Sequence, residues 1–476
     1  MIGGPTRRSV ALVAAAGLGA ACSSTPPPED IDGGGVSHVE QALADYNRMG
    51  FLTGTPDFPV IGRVVTFRGP HDSAYVAVLA SMSPRALRFA REGALFAASY
   101  QVLATAVSGA DAVRRMNRRE IVRLEDFAET ASDDERIFFQ RFMTLPSGSY
   151  EITLAVRELA SRDQASRTFH VEVPPFGEPG GRITDPIVAL HAVARQAYRQ
   201  HPPAIISPRS TAAASREPPF LLVEVYDEVS DTLTLKVTDE GSLLWEQVLV
   251  PEAAAGPEAA PRTVLTTLPV SRIPPGLAEL TVTTEDGVET RSPLLLALDD
   301  VWAFADWSDV VEHLAYAIHS DSLDRWVDAD LPDRARLWAA FWDNTDLDPA
   351  TPRNEFLGRY FDRMSRAEDR YGEPGVPGWR TDRGRTYVQL GKADSEIVLG
   401  GGDTGQSYQI EWRYDESLPF QVVLRYVDVN DFGVFRIDQR SWLVLRDANR
   451  RLAEMERSGE WVDTRDMEED EDEGIG

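Results

Sequence analysis

The sequence predicts a multidomain protein that is mainly β and ends in an α+β region. Three observations support this fold class. Runs in which apolar and polar residues alternate recur through the first 300 residues, and alternation indicates strands with one buried face. Beyond them, apolar residues recur at three- and four-residue steps, which is typical of amphipathic helices. The chain has 476 residues, and at roughly 100–200 residues per domain this length fits two to four domains.

The N-terminus has the features of an export signal. Two arginines precede an apolar run over residues 10–21, which is too short to span a bilayer. The run ends in Leu18-Gly-Ala-Ala-Cys22-Ser23, which resembles the lipobox of bacterial lipoproteins. The resemblance implies that residues 1–21 are a lipoprotein signal peptide, that Cys22 is lipidated, and that the exported chain is anchored in a membrane of the cell envelope. Ser23 favours the periplasmic face of the outer membrane, and secretion without a lipid is the alternative.

The charge of the chain limits its partners. It holds 76 acidic and 48 basic residues, a formal net charge of −28, whereas nucleic-acid binding depends on a cationic surface. We therefore expect no nucleic-acid partner. The acidic run Asp466–Glu473 is typical of a solvated tail, and attraction of a divalent cation or a basic partner is the alternative. Residues 22–50 are predicted to be a tether followed by a short helix at Val36–Met49.

Two tandem β-sandwich domains of the immunoglobulin-like type are predicted at 51–175 and 220–300. Between them, residues 176–219 are predicted to be a Pro- and Gly-rich linker with a short helix near Ile187–Tyr198. The predicted strands are Phe96–Ala104, Tyr150–Val156 and Phe169–Val173 in the first domain, and Phe220–Tyr226, Thr232–Val237 and Leu243–Val250 in the second.

A weak internal repeat links the two predicted sandwiches. Leu145-Pro-Ser-Gly148 and Ile273-Pro-Pro-Gly276 each lead into an alternating run. Apolar residues stand four and six positions after each glycine, namely Ile152 and Leu154, and Leu280 and Val282. Two tandem domains of one type are the simplest explanation.

From residue 301 the apolar pattern becomes helical. One helix face is formed by Val310, Leu314 and Ala317, and an aromatic face lies within Leu337–Trp342. Thr351-Pro352 is predicted to open a third helix, since proline is tolerated in the first turn. Seven of the ten tryptophans fall between residues 302 and 412. Such density indicates a packed core, with a carbohydrate- or ligand-binding platform as the alternative.

The segment after these helices carries a sequence motif. It reads Gly378-Trp379-Arg380-Thr381-Asp382-Arg383-Gly384, and it is followed by Leu390-Gly-Lys-Ala-Asp394 and by Glu411-Trp412-Arg-Tyr414. This pattern resembles the GWxTD-domain family of bacterial envelope proteins over about residues 330–440. The resemblance implies an exported protein in which 301–445 is a helical lead-in plus an α+β domain and 446–476 is a C-terminal segment. It implies no established activity.

The motif residues also have a physical interpretation of their own. Trp379 can cover a small core, and Thr381 and Asp382 can accept hydrogen bonds from backbone amides in a turn. Asp382 can also pair with Arg383 or Arg385.

Two roles for the motif follow from its residue types. As a structural element, it would form a turn in which Gly384 permits a positive φ before a strand at Thr386–Leu390. As a recognition loop, it would present tryptophan, aspartate and arginine to a ligand or a partner.

Motifs for common catalytic chemistry are missing from the sequence, which has no HExxH helix, no GxSxG elbow and no P-loop. Asp309 and His313, one helical turn apart, are candidates to share a metal. Two acidic sets without EF-hand spacing are candidates for calcium, namely Asp343, Asp346 and Asp348, and Asp428, Asn430 and Asp431. Satisfied local contacts are the preferred interpretation of each, so no metal, cofactor or catalytic residue is predicted.

The sequence therefore predicts a lipid-anchored envelope protein with a non-catalytic binding or scaffold role. Its expected partners are the membrane, through Cys22, and a protein or another envelope component. A hydrolase acting on envelope polysaccharide or peptide is the first alternative, and a purely structural spacer is the second.

Overall fold

The computed structural model describes residues 38–109, 111–132, 137–175, 182–226, 231–254, 259–318, 322–400, 407–428, 430, 432–463 and 465. The predicted signal peptide, Cys22 and the acidic run at 466–473 lie outside the described residues. Of the described residues, 43% are in strands and 24% in helices, so the described part of the chain is mainly β. No helix among the described residues is long and apolar enough to cross a membrane.

Among its described residues, the first region contains one α-helix and nine strands. They are α1 (His38–Arg48), β1 (Leu52–Thr55), β2 (Phe58–Arg68), β3 (Ser73–Met82), β4 (Ala90–Glu92), β5 (Leu95–Ser108), β6 (Asp111–Leu124), β7 (Ile137–Pro146), β8 (Gly148–Glu158) and β9 (Gln164–Val173). The strands form two sheets, with orders β1-β2-β3-β7 and β4-β5-β8-β9, and β6 pairs with β5. Alternating side chains of both sheets share one apolar core. The predicted helix and the three predicted strands of this region are confirmed.

The second region also has two sheets. Its strands are β10 (Ile187–Ala192), β11 (Ala204–Ile206), β12 (Thr211–Ala213), β13 (Phe220–Val225), β14 (Leu233–Asp239), β15 (Ser242–Leu249), β16 (Arg262–Thr267), β17 (Gly276–Thr284) and β18 (Glu289–Ala297). The sheet orders are β11-β10-β13-β16 and β12-β18-β17-β14-β15. The three strands predicted here are confirmed.

The short helix predicted near Ile187–Tyr198 is wrong. That segment begins with strand β10, which pairs with β13 on one side and with β11 on the other. Ile187, Val188 and Ala189 are all buried. A run of apolar, partly β-branched residues fits both a helix and a strand that is buried on both faces. Here the segment is a strand because it has a partner strand on each side.

The repeated turn has the same backbone conformation in both copies. Gly148 has a φ of +148° and Gly276 a φ of +149°, values that an L-residue rarely adopts. They begin β8 and β17, respectively. In both strands the side chains four and six positions after the glycine are fully buried. The Tyr150 hydroxyl, near the first turn, donates to the carbonyl of Pro146 at 2.9 Å.

The third region combines helices with a small sheet. Its elements are α2 (Trp307–Leu314), α3 (Leu323–Val327), α4 (Leu331–Thr345), α5 (Glu355–Tyr371), α6 (Asp382–Leu390), β19 (Ser395–Gly400), β20 (Tyr408–Tyr414), β21 (Val422–Asp428), β22 (Arg436–Ile437) and α7 (Gln439–Ser458). The sheet is antiparallel, in the order β19-β20-β21-β22.

Two expectations for this region are corrected. Helix α5 begins at Glu355 rather than at Thr351-Pro352, because the Asn354 side chain accepts a hydrogen bond from the Leu357 amide at 3.0 Å and caps the helix there. The strand expected at Thr386–Leu390 is the second half of α6.

One apolar core joins the second and third regions. It runs from Ile183 in the second region to Leu452 in α7. Seven of the nine tryptophans beyond residue 301 lie in it, each exposed by 6% or less: Trp302, Trp307, Trp326, Trp338, Trp342, Trp379 and Trp412. Their density thus reflects a packed core.

A buried polar network joins the first and second regions. Glu224 on β13 pairs with Arg195 at 2.6 Å, and both side chains are almost fully buried. The Tyr226 hydroxyl donates to Glu224 at 2.9 Å and accepts from the amide of Arg68, at the end of β2, at 2.9 Å. Arg195 also donates to the Arg68 carbonyl at 2.8 Å. The network therefore ties β2 to β13.

Candidate functional site

The GWxTD-like motif forms the turn between α5 and α6. Gly378–Arg380 is one turn of 3₁₀-helix, and Thr381 is the N-cap of α6. The Thr381 hydroxyl accepts from the Gly384 amide at 3.0 Å and donates to the Gly378 carbonyl at 2.8 Å. The hydroxyl thus satisfies an otherwise unpaired amide of the first helical turn and, by its second bond, ties the start of α6 to the 3₁₀ turn.

Both glycines of the motif are sites of close backbone packing. A Cβ on Gly378 would lie 2.2 Å from the Ala367 carbonyl oxygen in α5, and a Cβ on Gly384 would lie 1.8 Å from the Gly378 carbonyl oxygen. Gly384 is helical and is not among the described residues with positive φ, so the expectation of a positive φ is wrong. The reason for glycine is lack of space rather than backbone conformation.

Trp379 lies inside the core, with 4% of its surface exposed. Its ring packs against Trp302 at 6.3 Å, His313 at 4.7 Å and Tyr316 at 6.0 Å between ring centroids. The guanidinium of Arg380 covers the ring at 5.0 Å. The geometry therefore matches a structural role for the tryptophan, since a recognition loop would have to expose it.

His313 is a core residue in this aromatic cluster. Burial lowers its pKa to about 4, and the hydrogen bond of its Nδ1 to the Asp309 carbonyl (2.7 Å) opposes the shift. The Asp309 carboxylate instead accepts from Gln41 of α1. The two residues thus have separate partners, and no group of three or more metal-ligating side chains occurs among the described residues.

Asp382 connects α6 to the small sheet. Its Oδ2 accepts from the Ile437 amide of β22 at 2.8 Å. The expected ion pair with Arg383 or Arg385 does not form. Both guanidinium groups instead lie over aromatic rings, Arg383 over Phe435 at 4.2 Å and Arg385 over Trp442 at 5.2 Å.

Trp412 and Asp394 lie outside the motif turn and have different surroundings. Trp412 is 1% exposed, and its indole N–H donates to Glu396 at 3.0 Å. Asp394 is exposed and caps the turn after β20. Its Oδ2 accepts from the amides of the next three residues after Tyr414, at 2.7, 2.8 and 3.1 Å.

Partial burial of Asp394 opposes ionisation, but the amides of Glu416, Ser417 and Asp415 outweigh it and lower the pKa of the carboxyl group. We expect Asp394→Ala to reduce the free energy of unfolding by about 1 kcal/mol after allowance for solvent screening. Because the pKa is lower in the folded state, this stabilisation is present above the unfolded-state pKa and is lost as the pH falls through the folded-state pKa.

Urea unfolding at neutral and acidic pH measures this contribution. The difference between wild type and Asp394→Ala should shrink on acidification. The exposed neighbour Glu416 provides the control, since its side chain makes no contact that the described residues show, and Glu416→Ala should change little at either pH. A difference that is independent of pH would contradict the role of the ionised carboxylate.

The two candidate calcium sets make ordinary contacts. Asp428 accepts from the Gly433 amide at 2.6 Å, and Asp343 pairs with Arg272 at 3.1 Å. Asp346 and Asp348 each accept from a backbone amide two residues later. Asp431 lies outside the described residues.

Strand β6 carries a local positive charge, although the net charge of the chain is negative. Five arginines stand within ten residues in an otherwise acidic chain, namely Arg114, Arg115, Arg118, Arg119 and Arg123, which we call the arginine edge. All five side chains are exposed. Among the described residues, β6 pairs only with β5, so its other side is an open sheet edge. In the sequence, the run Arg114-Arg-Met-Asn-Arg-Arg119 is the pattern that indicates this positively charged surface.

No protein-family model and no curated protein sequence matches the chain. Three solved structures show a distant likeness. The first is the BSP domain of a biofilm-associated protein, with 8% identity over 56% of this chain and 55% of that one, at a TM-score of 0.16. Trypsin-activated alpha-2-macroglobulin from Escherichia coli has 8% identity over 52% of this chain and 17% of that one, at a TM-score of 0.16.

The third structure is the calcium-binding domain CBD12 of CALX1.1, with 11% identity over 56% of this chain and 87% of that one, at a TM-score of 0.12. The chain spans about half the length of the first structure and 17% of the second. At TM-scores this low, the likenesses carry no argument about family or function.

Proposed function

We propose that this chain is a lipid-anchored bacterial envelope protein of the GWxTD type with a non-catalytic binding or scaffold role. Its two β-sandwiches are of the immunoglobulin-like type. The Tyr150 hydroxyl, bonded to the Pro146 carbonyl four residues earlier, supports that assignment, because a tyrosine bonded back to the preceding turn is a feature of such sandwiches.

The observation that carries the proposal is the position of α1. This helix is the first described element after the predicted tether. Its Leu43 and Tyr46 share a small core with Ile61 of β2, Leu295 of β18 and Ala303 before α2. The helix therefore packs against all three regions, which together we call the body.

Hydrogen bonds fix α1 in the same place. The Tyr46 hydroxyl bonds the Thr211 hydroxyl of β12 at 2.7 Å, and Asn47 accepts from Arg167 of β9 at 2.8 Å. Asp45 accepts from the amide of Ala305 at 3.2 Å. An anchor that pulls on this helix thus acts on the whole body rather than on one domain.

A lipid on Cys22 would hold this body near a membrane. Residues 23–37 lie between the cysteine and α1. Fifteen extended residues reach at most about 50 Å. This arrangement suits a protein that presents its surface to envelope components within a fixed distance of the bilayer.

Replacing Cys22 tests the anchor. We expect wild-type protein expressed in a bacterium to fractionate with membranes and to yield an N-terminal peptide that starts at Cys22 and carries acyl chains. Cys22→Ser should lose both the added mass and the membrane fraction, whereas the control Ser23→Ala should keep both. An unmodified Cys22 in the wild type would contradict the lipid anchor.

Crosslinking in intact cells, with affinity capture and mass spectrometry, tests the binding role. A component captured by wild type and lost with Cys22→Ser supports a role that depends on the tether. Capture of no component by a lipidated, folded wild type would replace this proposal with that of a structural spacer.

A further inference from the structure

Strand β5, which pairs with β6, does not neutralise the arginine edge. The β5 residues opposite the arginines are uncharged on both faces of the sheet. On one face Thr105 is opposite Arg115, Gln101 opposite Arg119 and Ala97 opposite Arg123, and on the other face Ala106 is opposite Arg114 and Val102 opposite Arg118. Cationic side chains placed side by side repel one another, and that repulsion is relieved when an anion binds.

Acidic residues lie at both ends of β6, since Asp111 is its first residue and Glu120 lies in its second half. Glu92 pairs with Arg123 at 3.2 Å, and Glu120 pairs with Arg141 of β7 at 3.4 Å. Arg114, Arg115 and Arg118 have no hydrogen-bond or ion-pair partner within the part of the chain that the structure describes. The first half of the strand is therefore the free cationic part.

Exposed apolar side chains flank these arginines. Val113 is 43% exposed at the start of β6 and Ile121 is 48% exposed near its end. Phe127, in the turn after the strand, is 68% exposed, and its ring contacts Phe96 at 5.5 Å. A soluble polyanion offers nothing to such side chains, whereas a membrane interface accepts both arginine and apolar groups.

We infer that the arginine edge, together with Ile121 and Phe127, is a contact surface for anionic phospholipid headgroups. The inference depends on the proposed function for one point only, namely that the protein lies near a membrane. It predicts that the edge orients the body, because the remainder of this acidic chain is repelled by an anionic bilayer while the edge is attracted to it.

Vesicle sedimentation tests the inference on the chain that lacks the predicted signal peptide 1–21 and carries Cys22→Ser, so that neither a lipid nor the apolar signal contributes. We expect this protein to bind vesicles of phosphatidylglycerol and phosphatidylcholine, and to be released by about 0.5 M salt. Vesicles of phosphatidylcholine alone should not bind it. The triple variant Arg114→Gln, Arg115→Gln and Arg118→Gln should bind at least about tenfold more weakly.

A matched triple variant controls for net charge. Arg440→Gln, Arg446→Gln and Arg457→Gln remove the same charge from exposed positions on α7 and should leave binding unchanged. Replacing Ile121 and Phe127 by serine should also weaken binding, with little dependence on salt. Far-ultraviolet circular dichroism checks that every variant is folded.

Three outcomes would overturn the inference. The first is equal binding by wild type and the β6 triple variant. The second is retention by soluble polyphosphate without any binding to anionic vesicles, which would make the edge a site for soluble polyanions. The third is aggregation of the triple variant without vesicle binding by the wild type, since the arginines would then only prevent edge-to-edge strand pairing. A Cys22 found unmodified in cells would leave the vesicle result standing, so the two proposals can fail separately.

Discussion

Gly384→Ala is expected to lower the free energy of unfolding by about 3 kcal/mol, at the upper end of the range for overpacking. The added Cβ would lie 1.8 Å from the Gly378 carbonyl oxygen and 3.0 Å from the Trp379 Cα. These are backbone atoms, which cannot rotate away as the end of a side chain can. Relief requires that the 3₁₀ turn move away from α6, and this movement would pull Trp379 out of its aromatic cluster.

Urea unfolding followed by tryptophan fluorescence measures this effect. Gly358 is the matched control, because it is also a helical glycine and its Cβ would lie 3.4 Å from the Ser215 carbonyl oxygen, an ordinary contact. We expect Gly358→Ala to be neutral or slightly stabilising, since alanine has the higher helix propensity. Equal stability of Gly384→Ala and wild type would contradict the close packing of the motif.

Glu224→Ala is expected to be the most destabilising change between the first two regions, at about 3–5 kcal/mol. The substitution leaves Arg195 charged, and that side chain is 0% exposed. Burial raises the pKa of Glu224, and the Arg195 charge and the Tyr226 hydrogen bond act against this shift. Burial of the two side chains costs free energy, which their mutual attraction offsets. Glu224→Ala is therefore destabilising mainly because it leaves the buried charge of Arg195 without its partner.

Two further variants separate this explanation from a general loss of packing. Arg195→Met combined with Glu224→Leu removes both charges and should recover much of the lost stability. The exposed pair of Lys236 and Glu246, at 3.6 Å, provides the surface comparison, and Glu246→Gln should leave the urea midpoint unchanged. A double variant no more stable than Glu224→Ala would show that packing or the Tyr226 contact dominates.

Local sequence pattern was sufficient for the long elements. Period-two alternation identified β5, β8 and β9, and apolar steps of three and four identified α4 and α5. It was insufficient for short segments. Residues 386–390 were predicted to form a strand, but the Thr381 cap that starts α6 places them in a helix. The lipid anchor and the GWxTD assignment stay predictions.

The sequence by itself determined the β-rich class, the order of the main elements, the repeated glycine turn and the residues of the motif, because these depend on contacts between near neighbours in the chain. Only the tertiary structure decided what the motif residues do. Gly378 and Gly384 are needed for close approach, and Trp379 is enclosed by side chains from α2 and from the segment before it. The arginines of β6 are visible in the sequence, but strand pairing decides that they line an open edge opposite uncharged residues. Burial, pairing and charge compensation arise between distant segments, and local pattern carries no information on them.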